Sequence, residues 1–208
     1  MGMSMRFFKT AVVMLSCLTI LPFMPSGASD NTTPPGQAQP LPAFTMPAAL
    51  EPVLQQYRQG WTQATALERS ALHWNQGVVI YLNQGMARYR NNHAVQKDMR
   101  HGEELTETRS SGFTVYSPGT IVLKENYVLE HGGPPRPASV TAMIKRENGY
   151  DPAMGDWQFV QFDPTGQILV NGSSRDPGVD AACAACHRGM VERDYVFSTL
   201  APTEGGRS

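Results

Sequence analysis

Residues 119–146 read GTIVLKENYVLEHGGPPRPASVTAMIKR. Two runs of β-branched and other apolar residues begin at Gly119 and Ala138, and a turn rich in Gly and Pro separates them. A third run, DWQFVQFD, begins at Asp156, and the turn DPTG joins it to QILV. Strands that follow one another through short turns pair antiparallel. This part of the chain therefore predicts an antiparallel sheet.

The segment before these strands has a mainly helical pattern. Apolar residues recur every three or four positions from Ala48, and the pattern restarts after Gly60 in GWTQATALERSAL. Val78–Leu82, at the centre of WNQGVVIYLNQ, is β-branched and aromatic and predicts a strand. We interpret GMARYRNN as a short helical turn and residues 93–112 as a polar surface loop.

The last segment, from Val179 to about Leu200, returns to helical character, and Asp180 is a candidate N-cap for it. Helices at both ends and strands between them predict an α+β fold, with a mainly antiparallel sheet and flanking helices. The 208 residues suit one domain, and a net charge of -1 without a basic stripe excludes nucleic acid as a partner.

The N-terminal residues have the pattern of an export signal. MGMSMRFFKT is short and basic, AVVMLSCLTILPFM is apolar, and small residues precede a cleavage point after Ala28. We therefore expect a signal peptide at 1–28, a Pro-rich, poorly ordered linker at 29–47 and a domain at 48–208, with the mature protein in the periplasm. A single membrane anchor and a lipoprotein modified at Cys17 are the alternatives.

The stretch DAACAACHRGM, Asp180–Met190, contains the motif C-x-x-C-H. A thioredoxin-like dithiol belongs in a βαβ setting, and a structural zinc site needs four ligands. The sequence around this motif provides neither the βαβ pattern nor the further ligands. C-x-x-C-H is the attachment sequence for c-type haem. After cleavage the motif holds every cysteine of the chain, which favours haem over a disulfide or redox dithiol.

The spacing of the motif fits one covalently attached haem c. Cys183 and Cys186 are three residues apart and share a helix face, so their sulfurs can reach two neighbouring vinyl groups. His187, four residues beyond Cys183, can ligate the iron. The other histidines, His73, His93, His101 and His131, show no paired spacing, and we interpret them as surface residues.

The second axial position decides what such a haem does. Met143 and Met154 are candidates for a sixth ligand, which would make an electron carrier. An open apolar pocket would instead bind small gases. Its caps, chosen by residue type, would come from Phe113, Phe159, Phe162 and Val122.

Three stretches resemble, in order and spacing, the cytochrome P-460 family. They are YSPGTIVLKENY (116–127), VTAMIKRENGYDPAMGDWQFVQFDPTG (140–166) and CAACHRGMVERDYVFSTL (183–200). VVIYLNQGMARYRN also looks like the family's first strand and following helix, so the resemblance extends from Trp74 to Leu200. It implies a β-sheet domain with one haem c, in an often dimeric protein.

The resemblance implies two kinds of activity. In cytochromes P-460 a lysine is bonded to the porphyrin and a distal carboxylate accepts protons during hydroxylamine oxidation, whereas cytochromes c′-beta have no such bond and bind nitric oxide in an apolar pocket. Lys124 matches the cross-linking lysine. Gly178 lies near the expected carboxylate position, and Asp176 and Asp180 are the nearest acids.

Because this position carries no acid, we place binding of a small nitrogen-oxide ligand such as NO ahead of hydroxylamine oxidation. Electron transfer is the third possibility. The expected partners are the small ligand, a redox protein and a second copy of the chain in a homodimer.

Overall fold

The structure, a computed structural model, describes residues 40–73, 75–100 and 112–204, all within one compact unit that begins at Pro40. The α-helices are α1 (Glu51–Leu54), α2 (Tyr57–Gly60), α3 (Met86–Arg100), α4 (Pro177–Val179) and α5 (Ala185–His187). The strands are β1 (Thr62–Gln63), β2 (Glu68–Ser70), β3 (Gln76–Leu82), β4 (Ile121–Val128), β5 (Arg136–Lys145), β6 (Trp157–Phe162) and β7 (Ile168–Gly172). Short 3₁₀ turns cover Pro152–Met154 and Arg188–Arg193, and a π-helical turn covers Asp180–Ala184.

The seven strands form one antiparallel sheet in the order β1-β3-β4-β5-β6-β7, and β2 also pairs with β3. This sheet, with helices at both ends of the described chain, confirms the α+β prediction. The β6–β7 hairpin closes as its sequence predicts. Asp163 Oδ1 accepts hydrogen bonds from the backbone N–H groups of Thr165 and Gln167, at 2.8 and 2.9 Å, and Gly166 takes the positive φ of 90° that the turn requires.

Alternation along the central strands divides the core into two layers. Val79, Ile121 and Leu123 point to the face that α1 and α2 cover, whereas Ile80 and Val122 point to the other face. Because both faces are covered, nearly every residue of β3 is buried. The second face is packed against α3 and the segment after β7, and its buried members include Tyr89, Tyr116, Met154, Trp157, Phe159, Val179 and Val196.

Two predictions of local structure are wrong. GWTQATALERSAL forms β1 and β2 rather than a helix, because each short run pairs with one end of β3. The helix predicted as a short turn continues through Arg100, so the first part of 93–112 is helical rather than loop. It is anchored there by Asn92, whose side-chain oxygen accepts from the Thr114 backbone N–H at 2.8 Å. Residues 101–111, with His101, lie outside the described residues.

Of the predicted linker, the structure describes residues 40–47, and these contain no helix or strand. They are packed rather than loose, because Phe44 lies edge-on to Tyr127 at 5.4 Å between ring centroids. Arg58 donates to the carbonyls of Leu41 and Pro42 at 2.9 and 2.8 Å. The predicted signal peptide lies outside the described residues, and among those described no helix has the length and apolarity to cross a bilayer.

A charged cluster lies inside the first layer of the core. Glu125 of β4 is fully buried, and its carboxylate accepts hydrogen bonds from Tyr57, Tyr127 and Arg58, with Arg58 Nε at 2.6 Å. Burial and the Glu125 carboxylate together raise the pKa values of Tyr57 and Tyr127, so both phenols remain protonated donors. The cluster joins β4 to α2 and to residues 41–42.

Glu125→Gln removes the charge that balances Arg58 without changing the size of the side chain. We expect a loss of about 3 kcal/mol in the free energy of unfolding, because a partly buried guanidinium is left without its counter-ion. The matched control is Glu130→Gln, which breaks the exposed pair with Arg136 and should cost less than about 1 kcal/mol. Urea unfolding of the two variants measures both losses. Equal losses would contradict the role of Glu125 as the buried counter-ion of Arg58.

Candidate functional site

A cavity of about 1000 Å³, counting the space that opens to solvent, lies between the second face of the sheet and the segment after β7. The sheet forms one wall and the CAACH motif forms the other. Its lining is mostly apolar, and the described lining residues include no carboxylate. They are Leu72, His73, Ile80, Val122, Lys124, Thr141, Ala142, Met143, Phe159, Val160, Gln161, Ala182, Cys183, Cys186, His187, Val196 and Phe197.

The register of the sheet arranges its wall in two rows. One row runs across four strands through Ile80, Lys124, Thr141 and Gln161. The next row, two residues along each strand, lines the cavity with Val122, Met143 and Phe159 and ends at Leu82, outside the lining. The wall therefore has a row that contains polar groups beside a wholly apolar one.

The opposite wall is built by one irregular helical segment. It begins at Asp176, whose Oδ1 accepts from the Gly178 N–H at 2.8 Å, so Asp176 rather than Asp180 is the N-cap. The next turn is π-helical and contains Cys183, whereas Cys186 and His187 follow in α5. A π turn inside a helix is a common feature of functional sites. The two cysteines are both free thiols.

His187 is held in one tautomer by the backbone. Its Nδ1 lies 2.7 Å from the carbonyl oxygen of Tyr195 and donates to it, which leaves the Nε2 lone pair available. Burial lowers the pKa of His187 to about 4, so the ring is neutral at pH 7. Phe159 and Phe197 lie edge-on to the imidazole, with ring centroids at 5.4 and 5.0 Å. His187 is thus an oriented, neutral nitrogen donor that lines the cavity.

The bend that presents the Tyr195 carbonyl is strained. Asp194 and Tyr195 are consecutive non-glycine residues with positive φ values of 51° and 63°. Such conformations cost of the order of 1–3 kcal/mol each and persist only where surrounding contacts enforce them. Gly155 makes room for this bend, since a Cβ there would lie 2.8 Å from the Tyr195 ring.

Lys124 and His73 form a polar pair in the cavity. Lys124 Nζ lies 2.9 Å from Nε2 of His73 and 3.2 Å from its Nδ1. Burial lowers the pKa of Lys124 to about 7, and burial together with the Lys124 charge lowers the pKa of His73 to about 3. Near neutral pH the cavity therefore holds a neutral imidazole beside an amine that is partly unprotonated.

Asp176 and Asp180, the predicted proton acceptors, do not line the cavity. The Asp176 carboxylate caps α4, and the Asp180 carboxylate accepts from Arg188 Nη2 at 2.5 Å on the exposed side of the segment. The interpretation of His73 as a surface residue is wrong, because it lines the cavity. Its only signal in the sequence is a position just before a strand, and that does not distinguish it from a solvated histidine.

The other sequence candidates are divided between the two layers of the core. Met143, Val122 and Phe159 line the cavity, whereas Phe162 packs in the opposite layer. Met154 is fully buried in the second layer of the core and does not line the cavity. Of the remaining candidates, His131 is exposed, His93 is half-buried with Nδ1 2.9 Å from the Ser198 carbonyl, and Phe113 lies under the Arg193 guanidinium.

Comparison with known protein families matches residues 54–198 to the family described as Cytochrome P460. The chain belongs to the cytochrome P460 family. This makes the protein a haem cytochrome, and it confirms the resemblance drawn from the sequence. A search of curated proteins gave no match.

The cavity of this cytochrome P460 protein fits a haem. Apolar side chains dominate both walls, as a porphyrin requires, and a neutral, oriented imidazole is the usual axial donor to haem iron. Cys183 and Cys186 are free and line the same cavity, so they are available for thioether bonds. When bound, a haem would supply one-electron redox chemistry and an iron centre that can take a small ligand.

The chain's own groups determine the polarity of that cavity. His187 can hold iron, and its Nδ1–H donates a hydrogen bond to the Tyr195 carbonyl. Phe159 and Phe197 fix the plane of its ring. Lys124 places an amine on the sheet wall, opposite His187. This amine is cationic or neutral according to the pH. His73 accepts a hydrogen bond from this amine.

The pKa of Lys124 predicts a pH dependence of stability in protein without a lysine–porphyrin bond. In the unfolded chain the amine keeps its proton up to its ordinary pKa of 10.5, whereas in the fold it loses the proton near pH 7. The unfolded state binds more protons between these values, so stability should rise with pH from about 7 to about 10. After allowance for water in the cavity, we expect a rise of about 2 kcal/mol.

Lys124→Met should remove most of this rise, as measured by urea unfolding at pH 7 and pH 9.5. Lys97→Met, at an exposed lysine of α3, is the control and should show the same rise in stability with pH as the unchanged protein. The same slope in all three proteins would show that the Lys124 amine is not buried in the fold.

Proposed function

We propose that this protein is an exported, periplasmic cytochrome with one covalently attached haem c, whose open axial site binds a small nitrogen-oxide ligand such as NO. One observation carries the proposal. The CAACH motif faces a largely apolar sheet wall across a cavity whose described lining contains no carboxylate. Such a cavity suits an uncharged diatomic ligand better than a reaction that needs a carboxylate as proton acceptor.

Covalent attachment through Cys183 and Cys186 is supported by their position. Both line the cavity from adjacent turns of one segment, and they are followed directly by His187. The π turn at Asp180–Ala184 widens the backbone where the first thioether would form. His187 is the iron ligand in this proposal, with its tautomer selected by the Tyr195 carbonyl.

Hydroxylamine oxidation with a Lys124–haem bond is the second candidate. The observation that favours it is the position of the Lys124 amine inside the cavity, with a pKa of about 7. An amine is nucleophilic only when it is unprotonated, and burial supplies that form here. In this candidate His73 is the polar neighbour that orients the amine before the bond forms.

Optical titration of the purified ferrous protein with CO and NO tests the proposal. We expect a high-spin ferrous c-haem spectrum that changes on addition of either gas, because the axial site is open. Met143→Leu should leave the spectrum unchanged, since leucine preserves the apolar row. The affinities for CO and NO should stay within about twofold of those of the unchanged protein. A spectrum that gas does not alter in the unchanged protein, but does alter in Met143→Leu, would instead establish methionine ligation and an electron carrier.

The mass of the haem peptide separates the two candidates. A haem joined only to residues 183–187 supports ligand binding, whereas a third link to the peptide with Lys124 supports the hydroxylamine enzyme. Haem released from Cys183→Ala/Cys186→Ala protein by acid–acetone would likewise exclude a lysine bond. Failure of the unchanged protein to stain for haem after denaturing electrophoresis would overturn covalent attachment in both candidates.

Asp176→Ala and Asp180→Ala test the acids nearest to the motif. Both carboxylates are engaged outside the cavity, so we expect NO affinity and any hydroxylamine turnover to stay within about twofold of the unchanged protein. Asp176→Ala should lose about 1 kcal/mol of stability with its helix cap, whereas Asp180→Ala loses an exposed ion pair and should lose less. A tenfold loss of turnover in either variant would return that carboxylate to the mechanism.

A further inference from the structure

The hydrogen bond from His187 to the Tyr195 carbonyl depends on the conformation of the bend at Asp194. Asp194 and Tyr195 both have left-handed backbone conformations, which non-glycine residues seldom adopt in succession. Relaxation of this bend would turn the Tyr195 carbonyl away from His187. The contacts that hold the bend therefore also hold the imidazole.

The strongest of these contacts is a buried ion pair. Lys145 Nζ donates to Asp194 Oδ1 at 2.6 Å, and the two side chains are only 7% and 4% exposed. The other carboxylate oxygen of Asp194 accepts from the Tyr116 backbone N–H at 2.8 Å. Both oxygens of the carboxylate thus have donors within a part of the fold that excludes water.

The bend is tied to the sheet a second time through Trp157. Its Nε1 donates to the Asp194 carbonyl at 2.8 Å. Trp157 is the register partner of Lys145 at the end of the β5–β6 pair, and Lys145 Nζ lies 4.9 Å from the centroid of the Trp157 ring. The end of the β5–β6 pair is therefore joined to His187 by a continuous series of contacts through Asp194 and Tyr195.

We infer that Lys145 and Asp194 are positioning residues for His187 and that, through the Tyr195 carbonyl, they set the redox balance of the haem iron. The inference rests on the proposal that His187 ligates this iron. A histidine that donates a strong hydrogen bond from its second nitrogen is a more basic ligand, and a more basic ligand favours the ferric state. Neither residue lines the cavity, so neither would touch a haem there, and their positioning role acts through His187.

Asp194→Asn and Lys145→Met test the inference in the haem-loaded protein. Each weakens the support of the bend, so the hydrogen bond from His187 should lengthen. We expect the ratio of ferrous to ferric haem at a fixed ambient potential to rise several-fold. The iron–histidine stretching band in resonance Raman spectra of the ferrous protein should shift to lower frequency, and the double variant should show no more than the larger single effect.

Three further variants separate positioning from general loss of stability. Lys145→Arg retains the cation and should restore the redox ratio and the Raman band. Trp157→Phe removes only the indole donor and should shift both readouts in the same direction as Asp194→Asn and Lys145→Met do. It remains informative if those two charge variants do not fold. Glu125→Gln breaks a buried pair on the opposite face of the sheet, so it should destabilise the fold while leaving both readouts unchanged.

The outcomes distinguish this inference from the proposed function. Absence of an iron–histidine band from the unchanged protein would overturn a five-coordinate haem ligated by His187, and the inference with it. A normal band that does not move in Asp194→Asn, Lys145→Met or Trp157→Phe would overturn the positioning role alone. Equal shifts in Glu125→Gln and Asp194→Asn would mean that the readouts follow stability, and would also overturn it.

Discussion

The structure depends on one constraint of β geometry, which is that adjacent residues of a strand point to opposite faces of its sheet. In β4 the two adjacent residues are Lys124 and Glu125, and both faces are buried. The amine therefore enters the cavity, while the carboxylate enters the cluster with Tyr57, Tyr127 and Arg58. The sheet therefore keeps the amine and the carboxylate apart, and each lies in an environment of its own.

The two walls of the cavity have different physical origins. The sheet wall is regular, and its position follows from strand register and from packing on both faces. The motif wall is irregular, with a π turn, a 3₁₀ turn and two residues in left-handed conformations. Regular structure alone would not aim His187 at the sheet, so the fold uses the buried contacts of Asp194 and Gly155 to hold an otherwise unfavourable bend.

Much of this arrangement could be predicted from local patterns. Strands β4 to β7 were predictable because their runs are long, β-branched and bounded by Gly and Pro turns. The CAACH motif was predictable because the spacing of its two cysteines and its histidine is that of a haem-attachment sequence. β1 and β2 were not, since runs of two or three residues acquire strand conformation only by pairing with β3. His73 reaches the cavity through tertiary packing alone. Asp176 and Asp180 were selected for nearness in sequence, but the helical turns of their segment direct them away from the cavity.

The order in which the two walls occur along the chain bears on how such a protein is made. All residues of the sheet wall precede residue 163, whereas the cysteines and His187 come at least twenty residues later. During synthesis from the N-terminus, the residues of the sheet are therefore made before CAACH. The wall that contains the motif is thus added to the fold after the sheet against which it packs.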